Sequence, residues 1–184
     1  MSKNIKFWML FIATIAVVSF TVISVNAQAM LTDESKVVIN GIGTIRVGMT
    51  VAEASQSSGI KLIQQSSGGE EYGCLIFKPQ NEPKGISFMV TENRIARVEI
   101  WENRRISTLK GARIGDTEAK IKSLYPGQIR VTQHEYVQRG HYLTFVPKDA
   151  ADRNYRIVFE TDGNRVTNFR SGKLPEVEYI EGCV

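Results

Sequence analysis

Arg46-Val47-Gly48-Met49-Thr50 is answered later in the chain by Arg113-Ile114-Gly115-Asp116-Thr117. Each stretch leads into a short helical segment that ends at a glycine, Gly59 in the first copy and Gly127 in the second. Further on, Thr91-Glu92-Asn93-Arg94-Ile95 is matched by Thr161-Asp162-Gly163-Asn164-Arg165-Val166. Self-similarity over such a span marks two copies of one supersecondary unit. The expected organisation is repeat 1 over 38–101, a polar connection over 102–110, repeat 2 over 111–172, and a tail over 173–184.

Within each copy the helix signals are local. Thr50-Val51-Ala52-Glu53 reads as a capping box, in which the threonine oxygen accepts from the N3 amide and the glutamate returns to the free donor at the cap. Gly59 supplies the left-handed residue that closes the helix, although Ser55-Gln56-Ser57-Ser58 is poor helix material. In the second copy Asp116 or Thr117 caps, and Glu118 suits the positive helix start. Ile121, Leu124 and Tyr125 form the apolar stripe, and Pro126-Gly127 stops the helix.

Strands follow. Cys74-Leu75-Ile76-Phe77 before Pro79 corresponds to Tyr142-Leu143-Thr144-Phe145-Val146 before Pro147. A hairpin comes next in each copy. With Glu92, Asn93 and Arg94 as a three-residue loop, Phe88 pairs with Val98, Ile86 with Ile100 and Val90 with Ala96, on one apolar face. A two-residue loop sets Arg97 against Phe88 and Glu99 against Ile86 instead, which places charge on that face. In the second copy Asp162 to Arg165 form the loop and Val158 pairs with Phe169. The expected fold class is therefore α+β: two tandem repeats, each a short helical segment laid on an antiparallel sheet, packed into one body.

At Ile45-Arg46-Val47-Gly48-Met49-Thr50, with Glu53 and Gly59 beyond it, the sequence resembles secreted β-lactamase inhibitor protein. It is also similar there to the outer-membrane assembly lipoproteins called SmpA/OmlA. The resemblance covers some 15 residues per copy, and the second copy lacks the methionine. It implies tandem helix-plus-sheet units, export, and function through protein binding. No contact residue transfers by motif.

Residues 1–29 read as a secretory signal peptide: Lys3 and Lys6, an apolar run from Phe7 to Val25, and small-residue cleavage patterns ending at Ala29. Subtracting those two lysines from 23 basic residues leaves 21 against 19 acidic ones, a net of +2. Arg104-Arg105 is the only adjacent basic pair, so the concentrated footprint of a nucleic-acid binder is missing. The expected location is secreted or periplasmic, with no membrane anchor after cleavage; the rival reading keeps the apolar run as an uncleaved anchor. Cys74 and Cys183 are the only cysteines. In an exported chain an even count reads as a bridge, closing a loop of about 110 residues for about 4 kcal/mol and tying the tail to repeat 1. The alternative is two free thiols.

The sheet face opposite the helices is expected to carry Met89, Ile95, Arg97, Glu99 and Trp101 from the first unit. From the second unit come Ile157, Phe159, Val166, Asn168 and Arg170. Apolar anchors interspersed with arginine are the composition of an interface centre, and Trp101 is the one tryptophan beyond the leader. The competing reading covers this face with the partner unit or the tail. Catalytic motifs are absent: there is no Gly-x-Ser-x-Gly, phosphate loop or His-Glu-x-x-His. His134 and His141 match no common zinc spacing. Asp149, Asp152 and Asp162 read as loop carboxylates, and Gly68-Gly69 as a hairpin tip. No catalytic residue, metal or cofactor is expected. The sequence points first to a non-enzymatic module that binds an envelope or extracellular protein. A binder of a small ligand or cell-wall fragment between the repeats comes second, and a hydrolase with an unfamiliar site third.

Overall fold

Gly48 and Gly115 have φ of 92° and 91°, a region only glycine enters freely, and each bolts its copy of the repeat together. The Gly48 amide donates to Ile95 O at 2.8 Å, and the Ile95 amide donates to Met49 O at 2.8 Å. In the second copy Gly115 donates to Val166 O at 2.9 Å, and Val166 donates to Asp116 O at 2.9 Å. Arg94 and Arg165 then reach back to the carbonyls of Gly48 and Gly115 at 2.6 and 2.7 Å. Even the departure at the methionine keeps its role: the Arg46 amide donates to Met49 Sδ, the Arg113 amide to Asp116 Oδ2.

The computed structural model describes residues 30–65 and 73–183. The expected signal peptide and the Gly68-Gly69 tip lie outside the described residues. The chain opens with three short strands, β1 (Lys36–Val38), β2 (Gly41–Ile42) and β3 (Ile45–Arg46), and then helix α1 (Val51–Ser58). Strands β4 (Leu62–Gln65), β5 (Cys74–Pro79), β6 (Ile86–Thr91) and β7 (Arg94–Trp101) complete the first unit. After β8 (Ser107–Thr108) the second unit repeats the order: α2 (Glu118–Leu124), β9 (Ile129–Gln133), β10 (His141–Phe145), β11 (Tyr155–Thr161) and β12 (Val166–Lys173). The fold is α+β, with a mixed four-stranded sheet, β3-β2-β1-β8, and an open antiparallel sheet of eight strands, β4-β5-β6-β7-β12-β11-β10-β9.

Both helices start as their sequences dictate. At α1 the Glu53 amide donates to Thr50 Oγ1 and the Thr50 amide to Glu53 Oε2, and Gly59 closes the helix at φ 65°. The serines bond their own turn, with the Ser58 hydroxyl donating to Ala54 O. At α2 the cap is Thr117, accepting from Lys120 N, while Asp116 takes the Arg113 amide and Lys120 Nζ. Ala54 and Ile121 seat the helices on one apolar cluster with Phe88, Val98, Ile100, Phe159 and Phe169 of the large sheet. The connection after repeat 1 is more deeply built in than its polarity suggests. Ile106 and Thr108 are buried, and β8 pairs in parallel with β1.

Each hairpin carries one more residue on its returning strand than the sequence register allows. In the first, Glu92 and Asn93 form a two-residue turn with positive φ at both positions, the mark of type I′. Thr91 pairs with Arg94 and Val90 with Ile95. Ala96 is then extra, and beyond it Phe88 meets Val98 and Ile86 meets Ile100. Those last two pairs are the expected ones; the three-residue loop and the Val90–Ala96 pair are not what forms. In the second hairpin Thr161 pairs with Val166, but Thr167 is extra, so Phe159, not Val158, faces Phe169. A β-bulge inserts one residue, and a slip of one moves side chains to the opposite face.

The two units join through β7 and β12. Trp101 stands opposite Asn168, Ile100 opposite Phe169, Glu99 opposite Arg170, Val98 opposite Ser171 and Arg97 opposite Gly172. A β-carbon on Gly172 would lie 2.4 Å from Ala96 O, so the strands approach there as no side chain permits. Cys74 and Cys183 form a disulfide across a separation of 109 residues. The bond fits an oxidising, extracytoplasmic environment. Among the described residues no helix is long and apolar enough to cross a membrane.

Candidate functional site

The bulges decide which of the expected surface residues are on the surface. Ile95 and Val166 lie on the bulged strands and turn into the core between sheet and helices, as do Ile157 and Phe159. Their expected place on the outer face is overturned, because Ala96 and Thr167 each insert a residue that shifts the register by one. Met89, Arg97, Glu99, Trp101, Asn168 and Arg170 stay on the face away from the helices. Val158 joins them, packed with Tyr142 and Val177.

That face already has an occupant. The carboxyl-terminal residues run back across it as a strap, and two buried arginines hold the strap's backbone. Arg97 donates to the carbonyls of Glu176 and Tyr179 at 3.2 and 2.7 Å, and Arg170 donates through Nε to Val177 O at 2.7 Å. Burial pulls the Arg97 guanidinium below its ordinary range, and Glu99 at 2.8 Å opposes that shift. Arg170 is paired with Glu160, which also accepts from Asn168 Nδ2 at 2.9 Å. Met89 is buried under the same layer. The disulfide pins the strap's end to β5.

The strap leaves a cleft on each flank. One, of about 430 Å³, is lined by Ile76, Arg97, Glu99, Trp101 and the strap's Ile180–Cys183. Trp101 is half-buried here, with Lys78 Nζ 4.9 Å from its ring centroid. The other, of about 800 Å³, runs between the strap, the β6–β7 turn and the loop after β9. Tyr136 from that loop and Tyr179 and Ile180 from the strap stand out into solvent beside it. The Tyr136 hydroxyl donates to Glu181, which ties the loop to the strap, and that carboxylate holds the phenol above its usual range. Of the residues lining this second cleft, the sequence marks Cys74 and Cys183 as a bridge and Thr91 and Glu92 as hairpin residues, and none as binding residues. The signal was present in the alternation Glu176-Val177-Glu178-Tyr179-Ile180-Glu181 and in Glu135-Tyr136.

The histidines meet carboxylates separately. His134 stacks on Tyr142 with centroids 4.5 Å apart, accepts at Nδ1 from the amides of Tyr136 and Val137, and lies 3.6 Å from Glu160. His141 Nδ1 is 2.8 Å from Glu118 Oε1, the atom that also accepts from Thr161 at 2.6 Å. Glu118 thereby fastens the first turn of α2 to β10 and β11. Among the described residues no group of three or more His, Cys, Asp or Glu side chains is arranged to hold a metal ion.

Glu118 carries a pH consequence. Burial pushes its carboxyl up, but hydrogen bonds from Thr161 and His141 outweigh that and hold it below the usual range. A carboxyl lowered by folding stabilises the fold above its unfolded pKa, and the contribution is lost as pH falls through the folded value. Glu118→Gln is expected to flatten the acid limb of stability against pH, measured by urea titration. An acid limb of unchanged slope would remove Glu118 from that role.

No protein-family model matches the chain, and no curated protein does. Among solved structures, the chain is similar to the crystal structure of the uncharacterized protein yfeY from Escherichia coli, with 13% sequence identity and a TM-score of 0.48, over 75% of this chain and 99% of that one.

Proposed function

We propose that this is an exported, non-enzymatic protein-binding module that meets an envelope or extracellular protein along the flanks of its carboxyl-terminal strap. One observation carries the reading. Among the described residues seven large hydrophobic side chains are exposed, and four of them, Tyr136, Val137, Tyr179 and Ile180, belong to the strap or the loop facing it. Exposed apolar groups gathered in one place, with aromatic residues and a polar rim, mark an interaction site. Trp101 on the opposite flank adds a second aromatic anchor. The Gly48-Met49-Thr50 lead-in, similar to that of secreted β-lactamase inhibitor protein, agrees with binding as the role.

The test is site-specific photo-cross-linking of the chain produced with its own leader. With p-benzoylphenylalanine in place of Tyr136 or Ile180, one adduct of defined mass is expected at both positions. Leu109, more solvent-facing than either and beside the small sheet, is expected to give none. Absence of adducts at the strap, or the same adducts at Leu109, would remove this surface from consideration.

A further inference from the structure

We infer that the larger cleft, between the strap and the loop after β9, takes a cationic segment of the partner protein, an arginine or lysine with apolar neighbours. This rests on the docking surface proposed above and names the chemistry of what docks there. The cleft is lined by Glu92, Glu135, Glu176, Glu178 and Glu181, with no lysine, arginine or histidine among its lining residues. Two of the five are answered from outside the cleft: Glu176 by Lys173 at 2.9 Å and Glu178 by Arg130 at 2.7 Å. Glu92 and Glu135 form no salt bridge among the described residues. Negative charge with exposed Tyr136 and Tyr179 beside it fits a positive, partly apolar ligand, and aromatic faces also attract cations.

Glu176 adds an independent mark. It is 6% exposed, and its Oε1 accepts from Thr91 and Lys173, both at 2.9 Å. Its Oε2 is buried with no hydrogen-bond partner, although the residue lines the cleft. An ionised carboxylate accepts at both oxygens, and a buried acceptor without a donor is uncommon in a finished fold. A guanidinium or ammonium in the cleft would supply that donor once the carboxylate turns its Oε2 outward. The carboxylates are spread over three chain segments and do not converge into a cation cage, which favours an extended segment over a bound ion. The volume of about 800 Å³ lies within the range of ligand pockets generally.

The probe is a fluorescein-labelled octapeptide of alternating arginine and leucine, with an otherwise identical citrulline peptide as the neutral control. Fluorescence anisotropy with the disulfide-intact mature chain is expected to show the arginine peptide binding at least about tenfold more tightly. Binding should weaken with added salt. The exposed-rim variant Glu92→Gln/Glu135→Gln/Glu178→Gln, with its thermal midpoint checked, is expected to lose about tenfold, while Glu82→Gln, outside the cleft, stays at the parent affinity. Equal affinity for the two peptides, or a triple variant that binds as the parent does, overturns the inference. Cross-links at Tyr136 together with equal peptide affinities would overturn the cationic segment and leave the docking surface. Arginine-selective binding without cross-links would overturn the docking surface and leave the cleft's ligand chemistry.

Discussion

Arg170→Ala is expected to destabilise the fold by about 3–5 kcal/mol, the largest effect of any single substitution on the outer face. The guanidinium is buried, paired with Glu160, and donates to Val177 O. Truncation leaves the Glu160 carboxylate largely enclosed beside His134 and leaves a strap carbonyl without its donor. The penalty comes chiefly from the stranded charge. Arg170→Met combined with Glu160→Met is therefore expected to fall less far than Arg170→Ala alone, since replacing a buried pair by apolar groups is often close to neutral. Urea unfolding of the three proteins measures this. A double variant as unstable as the single one would show that the strap contact, not the uncompensated charge, sets the magnitude.

The second large effect concerns the disulfide. Cys74→Ser/Cys183→Ser is expected to lower stability by about 4 kcal/mol, because a bridge spanning 109 residues removes much of the freedom of the unfolded chain. The loss should also be visible locally. Without the bridge the strap is held by Arg97 and Arg170, so its backbone amides from 176 onward are expected to exchange with solvent faster than those of β6 and β7. Hydrogen exchange read by mass spectrometry separates the two outcomes. A variant with unchanged midpoint and unchanged strap protection would mean that the arginines alone fix the carboxyl terminus.

Much of this arrangement was legible in the sequence because it is local. The capping box at Thr50 and Glu53, the closing Gly59, a second cap at Asp116 or Thr117 (it is Thr117) and the Phe88–Val98 pair depend on residues within about ten positions of one another. The repeat was legible because Gly48 and Gly115 serve the same hydrogen bonds. The cysteine pairing was legible by count. The bulges were not, because Ala96 and Thr167 carry no feature that distinguishes an inserted residue from a paired one. That single omission placed Ile95, Ile157, Phe159 and Val166 on the wrong face. The strap was legible only as the competing reading, a tail tied back through Cys183 and laid over this face. Arginine among apolar residues reads as an interface whether the partner is foreign or, as for Arg97 and Arg170, the chain's own backbone. Only the course of residues 173–183 decides between them, and that course is set by contacts remote in sequence.

The junction of β7 and β12 reaches further than the sheet it completes. Ile95 and Val166 occupy equivalent places in their units, so Arg97 corresponds to Asn168, Glu99 to Arg170 and Trp101 to Gly172. Exchanging the units then maps the pairing onto itself: Trp101 opposite Asn168 becomes Gly172 opposite Arg97, and Glu99 opposite Arg170 sits at the centre. This is the isologous contact of a two-fold homodimer, built inside one polypeptide. The central position, which in identical subunits would face itself, here holds opposite charges. The pairing is also closed. Because each unit's last strand is already joined to the other's, a third unit has no matching partner there, and any further addition would have to use the different contacts at β4 or β9.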